Sequence, residues 1–148
     1  MPFRFPLQAV LHLRESVERQ QQLELAAANQ QVAGVSRLLE QVDRSIFDCQ
    51  QESLRMLEFG TSAAALRFAL ELESGLRAKQ TNLQQELARV TLLRDQQQQA
   101  FQRCRRERQT LETLRERQWL EYRRDQDRRE QKRLDALFLS RQAYLERG

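Results

Sequence analysis

The chain has 148 residues, 40% of them hydrophobic, 31% charged and 7% aromatic, with a formal charge of +4. It is too polar to close a sizeable globular core, and its Gln, Arg, Glu, Leu and Ala content with almost no helix breakers is the composition of long helices. The charge is uneven: residues 1–60 carry six basic and eight acidic side chains, whereas residues 61–148 carry nineteen basic and thirteen acidic.

From Pro6 to about Glu58 the only breaker is Gly34. Leu25, Val32, Leu39, Ile46 and Ser53 form one seven-residue series, and Ala28, Val35, Val42, Cys49 and Met56 form its companion three residues on. These are a and d positions of a coiled-coil seam, a stripe narrower than that of a globular core helix. Upstream, Val10, Leu13 and Val17 read as a separate series. Gln20, Gln21 and Gln22 fall between the two, which predicts a stutter in the supercoil.

Phe59-Gly60-Thr61-Ser62 is the one clear stop-and-start signal. Gly60 suits the left-handed conformation that ends a helix, and Thr61 or Ser62 suits the cap of the next. From Ala63 to about Glu146 no proline intervenes. Leu76, Leu83, Leu87 and Val90 continue the three-four rhythm, followed by Phe101, Cys104, Leu111, Leu114 and Tyr122 with more polar interruptions. Arg123 to Arg133 is almost wholly charged. Leu134, Leu137, Phe138, Tyr144 and Leu145 then make a small apolar cluster. The expectation is an all-α protein with one domain over residues 1–148. It is an elongated antiparallel coiled-coil hairpin, with helix one over about 6–58, a turn over about 59–62 and helix two over about 63–146. Pairing that starts at the turn sets residue 1 opposite about residue 120, so the longer second helix overhangs past Trp119.

The same residues argue against catalysis. The one histidine, His12, has no partner cluster, no glycines group into a phosphate-binding loop, and a narrow hairpin offers no cleft to shift a carboxylate pKa. No catalytic, cofactor-binding or metal-binding residues are expected, and no cofactor. Cys49 and Cys104 read as small seam hydrophobes in a reducing compartment, not as a disulfide or metal framework. No apolar stretch approaches the ~20 residues of a membrane span, and no signal peptide is visible. Nucleic-acid binding is the serious alternative for the arginines. Against it, Glu107, Glu112, Glu116, Glu121, Asp125, Asp127 and Glu130 interleave with them, where a DNA-reading helix carries a denser positive run.

Two surfaces stand out as candidate contacts. At the paired termini, Phe3, Phe5 and Leu7 form an exposed aromatic end beside Arg123, Arg124, Arg128, Arg129 and Arg133. Near the turn, helix two has more apolar residues than one seam can use. If Ala69, Leu76 and Leu83 face the seam, Phe68 and Leu72 sit about 100° off it, and Gly75 and Lys79 extend that face. The competing reading is that the turn end folds over and buries Phe68.

Three stretches carry a family resemblance. Phe3-Arg4-Phe5-Pro6-Leu7-Gln8-Ala9-Val10-Leu11-His12-Leu13-Arg14-Glu15 resembles the opening of the FliJ family of flagellar export proteins. Gly60-Thr61-Ser62-Ala63, followed by Leu66-Arg67-Phe68-Ala69-Leu70-Glu71-Leu72, is similar to the family's interhelical turn and second helix. Glu130-Gln131-Lys132-Arg133-Leu134-Asp135 resembles its Glu-Gln-Lys-x-x-Asp-Glu signature, with Ala136 standing where the family usually has glutamate. The resemblance covers essentially the whole chain. It implies a component of the bacterial flagellar type III export apparatus, with a coiled coil like the gamma-subunit stalk of rotary ATP synthases. The implied partners are the hexameric export ATPase and its regulator, the membrane export gate protein and the export chaperones. The location implied is cytoplasmic, at the inner membrane through the apparatus, with a monomeric rod when free. On that reading the terminal set contacts the ATPase ring, and Phe68, Leu72, Gly75 and Lys79 contact the gate. A generic coiled-coil spacer or adaptor, a holdase chaperone and the stalk of a virulence-type secretion system remain the alternatives.

Overall fold

The computed structural model describes residues 2–148. It is all-helical: α1 runs Gln8–Phe59, 52 residues, and α2 runs Ala63–Arg147, 85 residues. The two helices pack against each other as a hairpin. Gly60 has φ 84°, a left-handed conformation that costs glycine nothing and other residues a Cβ clash. Ser62 caps α2: its Oγ accepts from the Ala65 N–H at 3.2 Å, and its carbonyl accepts from Leu66 N–H at 3.1 Å. Before α1, the carbonyl of Phe5 accepts from Gln8 N–H at 3.1 Å. This turn is built around Pro6, which has no N–H to satisfy.

The chain groups into two compact units, one of residues up to Glu18 with Arg103–Gly148, the other Arg19–Gln102. In the second unit, Val42 and Ile46 of α1 and Ala69 and Val90 of α2 are the buried apolar residues. Leu25, Ala28, Val32, Val35, Leu39, Cys49, Met56, Leu76, Leu83 and Leu87 are half-buried. Two helices close only one stripe on each, so few side chains disappear from solvent completely. The larger of the buried side chains, Val42, Ile46 and Val90, contribute roughly 1.5–3 kcal/mol each. Polar contacts on and beside the stripe fix its antiparallel register. Gln50 donates to Glu73 at 3.2 Å, Gln80 to Asp43 at 2.7 Å, and Gln97 to the Gln21 Oε1 at 2.6 Å.

In the first unit, Leu11 and Phe5 are fully buried. This corrects the expected stutter. Val10 and Leu13 are exposed, and only Val17 of that series is half-buried. The buried row runs through Leu11, Glu18, Leu25, Val32, Leu39, Ile46 and Ser53. Its companion runs through Arg14, Gln21, Ala28, Val35, Val42, Cys49 and Met56. Every member of both rows is buried or half-buried, so the heptad phase of α1 is unbroken from Leu11 to Met56. What changes along it is polarity: Arg14, Glu18 and Gln21 occupy seam positions, and α2 supplies polar partners for them.

Candidate partner-binding surfaces

In the first unit, the polar part of the seam is an ionic network. Arg108 donates to both carboxylate oxygens of Glu18, through Nε and, at 3.3 Å, through Nη2. Its Nη1 donates to Glu112 Oε2 at 2.7 Å. Hydrogen bonding to Glu18 first, and the two carboxylate charges, hold the guanidinium pKa above its ordinary value. Arg14 Nη1 donates to Glu107 Oε2.

Below this network lies an aromatic cluster. Phe3 meets Trp119 edge-on, with ring centroids 5.4 Å apart, and Tyr122 at 5.5 Å; Trp119 stacks on Tyr122 at 5.8 Å. Edge-on and offset rings are the favourable arrangements of the aromatic quadrupole. A cleft of about 520 Å³ opens beside the cluster, lined by Phe3, Arg115, Glu116 and Trp119. The expectation of an exposed Phe3, Phe5 and Leu7 therefore needs correcting. Phe5 is buried, because the turn at Pro6 folds it back under the start of α1. Phe3 is half-buried by Trp119 and Tyr122, and Leu7 remains exposed. The sequence places Tyr122 in the three-four rhythm of helix two and Trp119 at the start of the overhang, and does not bring either to Phe3. The available signal was the hairpin register, which sets residue 1 opposite about residue 120. Arg123, Arg124, Arg128, Arg129 and Arg133 are all exposed. Arg128 and Arg133 make only loose intrahelical pairs, with Asp125 at 4.0 Å and Glu130 at 3.9 Å.

In the second unit, Ala69 is buried and Leu76 and Leu83 are half-buried, so these three face the seam. Phe68, Leu72, Gly75 and Lys79 are exposed together on one flank of α2. Phe68 is 68% and Leu72 50% exposed, so the turn does not fold over them. Gly75 has open space where a Cβ would stand; nothing within the hairpin requires glycine there.

Among the described residues no group of three or more His, Cys, Asp or Glu side chains is placed to hold a metal ion. Among them, too, no helix is long and apolar enough to cross a membrane. Cys49 and Cys104 are free thiols, both half-buried on the seam. Cys49 Sγ lies 3.5 Å from the Ala69 carbonyl.

Comparison with known proteins adds the identity of the hairpin. The profile of the family described as "Flagellar FliJ protein" matches residues 3–148. No curated protein and no solved structure matches the chain. A match across essentially the whole hairpin shows the family: the chain belongs to the FliJ family, a non-catalytic component of the flagellar protein export apparatus.

Proposed function

We propose that the chain is the gamma-subunit-like stalk of its export apparatus. On this reading it binds the export ATPase ring and its regulator at one surface and the membrane export gate at another, and it serves the export chaperones. The observation that carries the reading is the exposure of large apolar side chains beside a seam that is already filled. Phe68 and Leu72 flank the buried Ala69, and Trp119 is 43% exposed although its neighbours Phe3 and Tyr122 pack on it. A soluble two-helix hairpin has no internal use for such patches, and exposed apolar patches rimmed by charge mark contact sites.

The ring surface comprises Phe3, Leu7 and Trp119 with Arg123, Arg124, Arg128, Arg129 and Arg133. The gate surface comprises Phe68, Leu72, Gly75 and Lys79. A glycine in mid-helix costs about 1 kcal/mol relative to alanine. At Gly75 that cost is understandable if a partner backbone approaches there. A stalk of this kind acts on the ring only through different affinities for the ring's conformational states.

The test is stimulation of the cognate export ATPase by the full chain and by a chain lacking residues 123–148. Loss of stimulation, together with salt-sensitive binding of the full chain, supports the reading. Unchanged stimulation rejects it.

A further inference from the structure

Beyond Gln126, α2 makes no close contact with α1: every residue from Asp127 to Gly148 is exposed. Its large apolar side chains still form a pattern. Five of the six, Leu134, Leu137, Phe138, Tyr144 and Leu145, fall on one stripe, at the three-four spacing of a packed helix face; Leu139 lies off it. This stripe does not continue the hairpin seam. The seam side of α2 ends at Gln118, Tyr122 and Gln126, all half-buried. At 3.6 residues per turn, Leu134, Phe138 and Leu145 lie roughly 80–180° around the helix from those three residues. Most of the stripe is turned away from the side on which α1 packs, so an extension of the hairpin pairing would leave most of it uncovered.

Its charges are ordered along its length. Asp127 stands one heptad before Leu134, Arg141 one heptad after it, and Glu130 lies on the same face one turn before Leu134. Acid occupies one end of the stripe and arginine the other. Such a strip complements itself when two copies run antiparallel. Centred between Asp135 and Ala136, the pairing sets Arg141 of one copy against Glu130 of the other and Tyr144 against Asp127. Leu137 of one copy then meets Leu134 of the other, and Phe138 lies against the aliphatic stem of Arg133. A parallel arrangement would set arginine against arginine and acid against acid. The present partner of Glu130, Arg133 at 3.9 Å, is loose and solvent-exposed, so exchanging it costs little.

We propose that this stripe binds a second copy of the chain: two molecules associate through an antiparallel, twofold-symmetric pairing of residues 127–144. The contact is isologous, each copy giving the same patch. Two stripes of five large side chains bury less than the roughly 1,200 Å² that marks a standard interface. The dimer is therefore weak and concentration-dependent, and the chain is monomeric when dilute.

The experiment is analytical ultracentrifugation of the full chain from about 2 to 200 µM, which spans the dissociation constants of weak complexes of this size. The expected result is a monomer–dimer equilibrium with a Kd on the order of tens of micromolar. Leu134→Glu, which sets a charge against Leu137 of the other copy, and Arg141→Glu should each raise that Kd at least ~10-fold. The double variant Glu130→Arg/Arg141→Glu restores the opposite-charge pairing and should return Kd to within roughly threefold of the parent. Circular dichroism should be the same for all four chains, because these side chains are exposed. Three outcomes overturn the proposal: a monomer at the highest concentration, a dimer indifferent to Arg141→Glu, or a double variant no better than the single one. Because ATPase stimulation is measured separately, failure here leaves the stalk reading standing, and loss of the stalk reading leaves this one standing.

Discussion

Arg108 and Glu18 meet on the seam itself, where a coiled coil ordinarily places leucine or isoleucine. The arginine side chain is 19% exposed and the glutamate 14%, and both occupy positions in phase with the apolar rows on their helices. A pair at this depth is largely shielded from solvent. It specifies which stretch of α1 lies against which stretch of α2 more than it adds to stability.

Removing one partner should therefore cost more than replacing both. Glu18→Leu alone leaves the Arg108 guanidinium with only Glu112 and should destabilise the hairpin by about 1–2 kcal/mol, between the values for exposed and fully buried pairs. Glu18→Leu/Arg108→Leu sets leucine against leucine at this level of the seam and should melt at or above the parent temperature. Thermal unfolding followed by circular dichroism compares the three. A double variant as unstable as the single one would show that the pair contributes net stability.

Ser53 occupies a seam position and is buried, and its Oγ has no hydrogen-bond partner. A buried hydroxyl without a partner carries an uncompensated desolvation cost. Ser53→Ala should raise stability by about 0.5–1 kcal/mol, read as an increase in the urea midpoint at unchanged slope. A lower midpoint would mean that the hydroxyl is satisfied in solution.

Phe68→Ala with Leu72→Ala should separate contact from packing. Both side chains are at least half exposed, so the double truncation should shift the stability by less than ~1 kcal/mol, as surface changes do. On the stalk reading it should weaken binding to the export gate. A loss of several kcal/mol, the signature of buried truncation, would instead place these side chains inside the fold.

Glu73 supplies a pH signature. The hydrogen bond from Gln50 is the largest influence and those from Arg77 come next; together they hold its carboxyl below the ordinary value of 4.5. A carboxyl whose folded pKa is depressed stabilises the fold fully above its unfolded pKa and loses that contribution as pH falls through the folded one. The melting temperature of the parent should therefore drop toward that of Glu73→Gln as pH is lowered from 6 through the region below about 4.5. A difference between the two chains that stays constant over this range would exclude Glu73 as a source of acid sensitivity.

Much of the hairpin was legible in the chain alone. From Leu25 to Met56 the seam positions are apolar, with Ser53 the exception, so the seven-residue spacing of one helix is enough to find its buried face. The turn at Gly60 is legible for an equally local reason: a positive φ followed by a serine cap needs only neighbouring residues. The seam upstream of Leu25 was not legible. Arg14, Glu18 and Gln21 look like surface residues in sequence, and the apolar Val10 and Leu13 pulled the reading onto a false phase. A polar residue belongs in a seam only when the opposite helix brings its partner, and Glu107, Arg108 and Gln97 lie 76 to 93 residues away along the chain. The fate of Phe5 was decided in the same way. Its sequence neighbours mark an exposed aromatic end, but the turn at Pro6 and the packing below Leu11 bury it and leave the half-exposed Phe3–Trp119–Tyr122 cluster as the aromatic surface. Local spacing determined the helices and most of the seam. Which polar residues join that seam, and which aromatic residues remain outside it, depended on pairings that exist only once α1 and α2 lie side by side.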